Sequence, residues 1–155
     1  MKKFSIKSIL IGLGVFLSAV AIGFMFLKGS KTVLTSNEVE VDWRMLGELD
    51  YISGKASGEL ATLDGKMVRI PGFMVPLEDN QKKVKEFLLV PSPQACIHVP
   101  PPPPNQMVLI EMQNEDTEPA FGPIWTYGIL RIKSKRHMYG EASFVMEGMK
   151  IEPYR

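Results

Sequence analysis

The pattern of apolar and polar positions divides the chain into three stretches. Ile9 to Leu27 (ILIGLGVFLSAVAIGFMFL) carries no charge and is apolar on every face. Its length is close to the roughly 20 residues that an α-helix needs to cross a bilayer. A short polar stretch follows, and Val39 to Leu49 (VEVDWRMLGEL) then places Trp43 and Leu46 three apart, the spacing of a short helix face. Beyond it the period changes to two. Met67–Pro76 alternates, with Val68, Ile70 and Phe73 read as inward and Gly72 read as a break at a bulge or bend. Val84–Val90 is apolar enough to be a central strand. Met107–Met112, Ile124–Lys133 and Ala142–Ile151 complete a set of five strands, the last two with internal Gly128 and Gly148. Asp64-Gly65 marks a turn before the first strand, and Lys135–Tyr139 reads as a loop between the last two.

Five strands with mid-strand glycines predict a mainly β domain, an OB-like, partly open five-stranded barrel preceded by one transmembrane helix. A small sandwich is the alternative. The boundaries that follow are a cytoplasmic N-terminus at 1–8, a signal-anchor helix at 9–27, a linker at 28–38 and a β domain at 39–155.

Charge refines this picture. The formal net charge is +1, but Lys2, Lys3, Lys7, Lys28 and Lys31 stand in the first 35 residues without a single acid. The remainder carries 13 basic and 17 acidic groups, a net −4. An acidic domain without a basic stripe does not bind nucleic acid, because phosphate neutralisation needs clustered cations. Lysines before the apolar run outnumber those after it once the amino terminus is counted. The positive-inside rule therefore puts the N-terminus in the cytoplasm and the domain in the periplasm, single-pass in the inner membrane. Cleavage after the small-x-small run Ala19-Val20-Ala21, releasing the domain into the periplasm, is the competing reading.

The chemistry concentrates in one segment. Cys96 is the only cysteine, and His98 is one of two histidines. A lone cysteine excludes an intrachain disulfide and a CxxC redox pair. In extended backbone, residues two apart share a face, so a thiolate and an imidazole can converge on one zinc or copper ion. His137, a carboxylate or a Met thioether would have to complete the ligand set. A reactive thiol activated by His98 and a buried structural cysteine are the other two readings. Pro100, Pro101, Pro102, Pro103 and Pro104 form a polyproline II rod, with Asn105 and Gln106 at its end. Together these seven residues are a candidate partner-binding surface. Scattered methionines read as core filling, and Glu115, Asp116 and Glu118 lack the alternating oxygen pattern of a calcium loop. No P-loop, dinucleotide fingerprint, HExxH or GxSxG occurs, and the chain reads as a binding protein rather than an enzyme.

Three runs together resemble a known family: Leu63 to Pro76 (LDGKMVRIPGFMVP), Phe87 to Pro91 (FLLVP) and Ala95 to Gln106 (ACIHVPPPPPNQ). They resemble DUF3299, a bacterial family of exported proteins. The resemblance runs from about Val39 to Gly148. It implies an OB-type barrel, and it implies export, with some members beside ABC transporters and metal-responsive genes. The expected role is therefore a membrane-anchored periplasmic accessory to an ABC-type transport system, with zinc or copper at Cys96 and His98. The alternative is an interaction module that docks a permease through its proline loop, with Cys96 and His98 structural. Unlike lipid-anchored relatives, this chain has no cysteine at the end of its apolar run.

Overall fold

The structure is a computed structural model that describes residues 38–78, 82–93, 101–113 and 117–154. The apolar run Ile9–Leu27, the linker before residue 38, Cys96, His98, Pro100, Glu115 and Asp116 lie outside the described residues. Among the described residues no helix is long and apolar enough to cross a membrane.

The described part is mainly β. Its elements run β1 (Val39–Glu40), α1 (Trp43–Gly47), α2 (Gly58–Ala61), β2 (Met67–Pro76), β3 (Glu86–Val90), a 3-10 turn (Pro104–Gln106), β4 (Val108–Met112), β5 (Pro123–His137) and β6 (Gly140–Pro153). Strand order is β1-β2-β3-β4-β6-β5, and a further antiparallel ladder between β2 and β5 brings the sheet round into a ring. β4 and β6 are parallel; the other ring pairs are antiparallel. β2 is shared between two partners. Met67 to Phe73 face β5, and Phe73 to Pro76 face β3.

Alternation sets what fills the ring. In β2 the buried residues are Val68, Ile70, Gly72 and Met74, an unbroken period of two. Met74 and not Phe73 therefore continues the inward row, and Gly72 does not interrupt it. A Cβ at Gly72 would come within 2.8 Å of Leu89 Cγ and the Val90 carbonyl oxygen. The glycine is there to admit β3, not to make a bulge. Phe87, Leu89, Val108, Ile110, Leu130, Phe144 and Met146 complete the interior. The helical segment adds Val41, Leu46, Leu49, Leu60 and Leu63 to the same core. α1 is capped by Asp42, whose side chain accepts from the Met45 amide at 2.7 Å, which sets the start of this single turn. β3 is buried on both faces from Phe87 to Val90, as expected of a central strand.

The strands approach closely where β6 passes between β4 and β5. Gly128 faces Gly148, and the register slips by one residue at Tyr127/Gly128. A Cβ on Gly128 would overlap the Glu147 carbonyl oxygen and approach Met146 Cγ to 2.7 Å. One on Gly148 would meet Ile110 Cγ2 and Met112 Sδ at 2.8 Å. Two opposed glycines let the strands cross closely enough for a ring of few strands to close. Gly128→Ala is expected to lower stability by about 2–3 kcal/mol through backbone overlap. Gly122→Ala, where a Cβ meets nothing within 4 Å, should stay within about 0.5 kcal/mol of the parent. Urea midpoints of the two variants check the contrast.

Candidate functional site

The connection from β3 to β4 carries Cys96, His98 and the run from Pro100 to Gln106. It leaves β3 at Val90 and returns through Pro101–Pro104 and the 3-10 turn into β4. Pro103 has φ −61° and ψ 154°, the polyproline II region. Pro101 and Pro103 are exposed, while Pro102 and Pro104 are half-buried. The rod thus presents ring faces to solvent at its described end.

Asn105 and Gln106 hold that end down. Asn105 is 9% exposed, and its Nδ2 donates to the carbonyl oxygens of Gly47 (3.1 Å) and Leu49 (3.0 Å). Those carbonyls close the C-terminal side of α1, where helix carbonyls lack intrahelical partners. Gln106 Nε2 donates to the carbonyls of Trp43 (3.1 Å) and Asn105 (3.3 Å). The Gln106 and Met107 amides donate to Pro103 and Pro104 at 2.8 and 3.3 Å. The amide donors of both side chains are therefore engaged inside the domain, although the sequence suggested a role toward a partner. They tie the proline rod to α1. Trp43 in turn donates from Nε1 to the Pro71 carbonyl at 2.6 Å, fixing α1 on β2.

His137 lies elsewhere. The last turns of the β5–β6 hairpin, expected to be a loop, remain paired as Lys135↔Ala142, Arg136↔Glu141 and His137↔Gly140. The register slips again between Ile132 and Lys135. Five residues separate Ala142 from Glu147, the β6 partner of Glu111, which is roughly 17 Å along a straight strand. Yet Lys135 Nζ stands 3.0 Å from Glu86 Oε1 and in contact with Glu111 Oε1. The hairpin must bend at the slip and fold over the outer face of β3 and β4. There Ala142 packs with Leu88, Val90, Met107, Leu109 and Val145, a second cluster outside the ring. The two carboxylates raise the Lys135 pKa above the usual lysine value, Glu111 most.

The fold-back sets His137 near Glu86, at the end of β3 opposite to Val90 and the loop that follows it. His137 Nδ1 accepts from the Tyr139 amide at 3.2 Å, which leaves the proton of the neutral ring on Nε2. Nε2 is buried without a partner. Burial lowers the His137 pKa, with the Glu86 charge opposing. Among the described residues no group of three or more His, Cys, Asp and Glu side chains is placed to hold a metal ion.

A continuous outer face runs across β1, β2, β5 and β6. Register places Glu40, Arg69, Tyr127 and Lys150 in one row, and Pro71, Trp125 and Glu152 in the next. Arg69 pairs with Glu40 at 2.8 Å and lies 4.7 Å from the Trp125 ring centre. Tyr154 packs at a tilt against Trp125, with centroids 5.0 Å apart. Tyr127 donates to Glu152 at 2.9 Å, and Lys150 also contacts that carboxylate, which holds the Glu152 pKa below the usual range, Lys150 contributing most. Beside this row lies a cleft of about 280 Å³ between Ala120–Ile124 and Ile151–Pro153, with Phe121 100% exposed at its edge.

The ring, its fold-back hairpin and its clamped proline crossover define a small, mainly β domain. The chain belongs to the DUF3299 family, described as a protein of unknown function, whose profile matches residues 51–153. It is similar to the crystal structure of a DUF3299 family protein from Pseudomonas aeruginosa PAO1, with a TM-score of 0.61 and 28% identity. That match covers 76% of this chain and 97% of the other. No curated protein matches the sequence.

Two outcomes follow from the clamp and the histidine. Asn105→Ala strands the Gly47 and Leu49 carbonyls and is expected to cost about 2–3 kcal/mol by urea denaturation. For His137 the folded pKa lies below the unfolded value near 6.5, so the unfolded chain binds more protons in the window between them. The neutral ring's contribution is complete above about pH 6.5 and is lost as pH falls through the lowered value. Urea midpoints between pH 7 and 5 should therefore fall more steeply in the parent than in His137→Gln.

Proposed function

We propose that this chain is a membrane-anchored periplasmic accessory protein that works by presenting its β3–β4 crossover to a membrane partner. The observation that carries this reading is the clamp. Asn105 and Gln106 fix one end of a polyproline II rod to α1, and Pro101 and Pro103 are left exposed. A preset extended rod loses little conformational freedom on binding, which is why such segments suit aromatic-lined grooves. The ring order β2-β3-β4-β6-β5, with β4 and β6 parallel, supports reading the domain as an OB-like barrel. Its outer face over β3 and β4 is covered by the hairpin and carries the Glu86–Glu111 pair, which does not suit nucleic acid. The apolar run Ile9–Leu27 supports the inner-membrane anchor, with the domain on the periplasmic side. The partner is then a membrane protein, and an ABC-type permease is the kind that the family resemblance favours.

A second reading gives Cys96 and His98 a zinc or copper ion. Its support is the donor chemistry of a thiolate and an imidazole two residues apart, in a loop rooted at the clamp.

Two experiments address the two readings. A photocrosslinker replacing Pro102 in the full chain, in native membranes, is expected to capture an ABC-type permease identified by mass spectrometry. The same probe at the exposed Ile52 should not capture it. Equal capture from both positions, or none from position 102, would remove the docking reading. Metal content of the full chain, unchanged in a Cys96→Ser, His98→Ala double variant, would remove the metal reading.

A further inference from the structure

The turn that ends the β5–β6 hairpin holds a neutral imidazole where a charged one has no place. His137 pairs with Gly140 to close the turn, and its Nδ1 accepts from the Tyr139 amide at 3.2 Å. Nε2 is buried and has no hydrogen-bond partner among the described residues. A neutral ring satisfies this geometry with one N–H left unused. A proton added at Nδ1 would set N–H against N–H at Tyr139, and the ring would then hold two donors and no acceptor. A charge buried without hydrogen bonds is costly, so a protonated ring is driven out toward water.

The groups around the ring are already engaged. Glu86, on β3, is the acid whose charge reaches it, and Glu86 Oε1 stands 3.0 Å from Lys135 Nζ. Glu111, on β4, contacts the same lysine. On the hairpin itself Arg136 and Glu141 form a pair of their own at 3.7 Å. Glu78, ahead of β3, accepts from the Glu86 amide at 3.2 Å.

The hairpin is also lightly held. Ser143 is 3% exposed, and its hydroxyl has no partner among the described residues, so it and His137 Nε2 both carry the cost of burial without a hydrogen bond in return. The Lys135 bridge is partly exposed and contributes little. The register slip between Ile132 and Lys135 supplies the bend at which the tip can hinge. Beneath it lie Leu88, Met107, Leu109 and Val145, packed with Ala142.

We propose that the end of the β5–β6 hairpin is an acid-released latch. Protonation of His137 lifts it from the outer face of β3 and β4 and uncovers the apolar cluster beneath, while the ring stays closed. Lifting puts His137 in water, where its pKa returns to about 6.5, above the value that burial lowers. The neutral ring therefore holds the hairpin fully above about pH 6.5, and the hold is lost as pH falls through the lowered value. Between the two, opening rises by up to about tenfold per pH unit.

Three methionines at three depths make the test. Met138, on the tip, is 68% exposed, Met107 in the cluster beneath is 3% exposed, and Met146 inside the ring is 0% exposed. A thioether does not titrate, so its oxidation by hydrogen peroxide reads access. Sulfoxide at each is followed by peptide mass spectrometry on the full chain in detergent, between pH 7 and 5. Met107 should oxidise faster as pH falls, by up to about tenfold per unit, with Met138 constant and Met146 protected. His137→Gln keeps an acceptor and a donor but takes no proton, and it should flatten the Met107 profile. Lys135→Met should oxidise Met107 severalfold faster at neutral pH and keep the acid slope. Met107 protected throughout would overturn the latch, as would happen if Glu86 turned from Lys135 to the ring. Met107 and Met146 oxidising together would overturn it in favour of unfolding of the whole domain. An unchanged slope in His137→Gln, or a slope lost in Lys135→Met, would make the carboxylates the sensor and overturn it as well.

Discussion

Closure of the ring by the β2–β5 ladder is the constraint on which the rest depends. Without it β5 and β6 would be a free hairpin, and β2 would expose the edge that now faces β5 from Met67 to Phe73. Closure removes that edge, which would otherwise template pairing with other chains. It also forces tight crossings, and the opposed Gly128 and Gly148 meet them by carrying no side chain where a backbone must pass. The hydrophobic interior follows from the same geometry, because only a closed ring turns one face of every strand toward a common centre.

The ring then acts as a frame with two outer surfaces of different character. Over β3 and β4 the hairpin bends back, Lys135 bridges Glu86 and Glu111, and an apolar cluster is sealed beneath. Exposed ion pairs contribute little each, so the apolar contact is the larger part of what holds the hairpin down. On β2, β5 and β6 the face stays open, with aromatic rings among paired charges. At the root of the proline rod the frame works through α1. Trp43 ties α1 to Pro71 on β2, and Asn105 ties the rod to α1. A chain of hydrogen bonds thus connects the ring to the segment that carries the unusual chemistry.

Much of the ring was legible because alternation is a local signal. Val68 and Ile70, the bounds of β2, the central burial of β3 and the glycines of β5 and β6 all follow from period two and from composition. What failed to read was long-range. Phe73 looked like an inward residue because Gly72 read as a break in the alternation, but the period of two runs through Gly72 to Met74, and Phe73 packs against the outer cluster. The stretch Lys135–Tyr139 read as a loop, since the carboxylates that hold Lys135 stand 24 and 49 residues away. α2 is a single turn and β1 is two residues, too short for any periodicity to show. That Asn105 and Gln106 clamp the rod was not readable, because their targets, at Gly47, Leu49 and Trp43, are 56 to 63 residues distant. The aromatic outer face was half visible. Trp125 and Tyr127 alternate in sequence, but Arg69 and Tyr154 join them only through the fold.

The central claim is that the ring holds the root of the proline rod as firmly as it holds itself. Amide hydrogen exchange on the full chain tests it most directly. The Leu130 amide, which donates to Lys66 across the closing pair of strands at 3.0 Å, reports on the ring. The Gln106 amide, which donates to Pro103 at 2.8 Å, reports on the rod. The account predicts that both exchange slowly and lose protection together as denaturant is raised, in one cooperative unit. Fast exchange at Gln106 while Leu130 stays protected would show that the rod is not clamped to the ring, and would contradict the account.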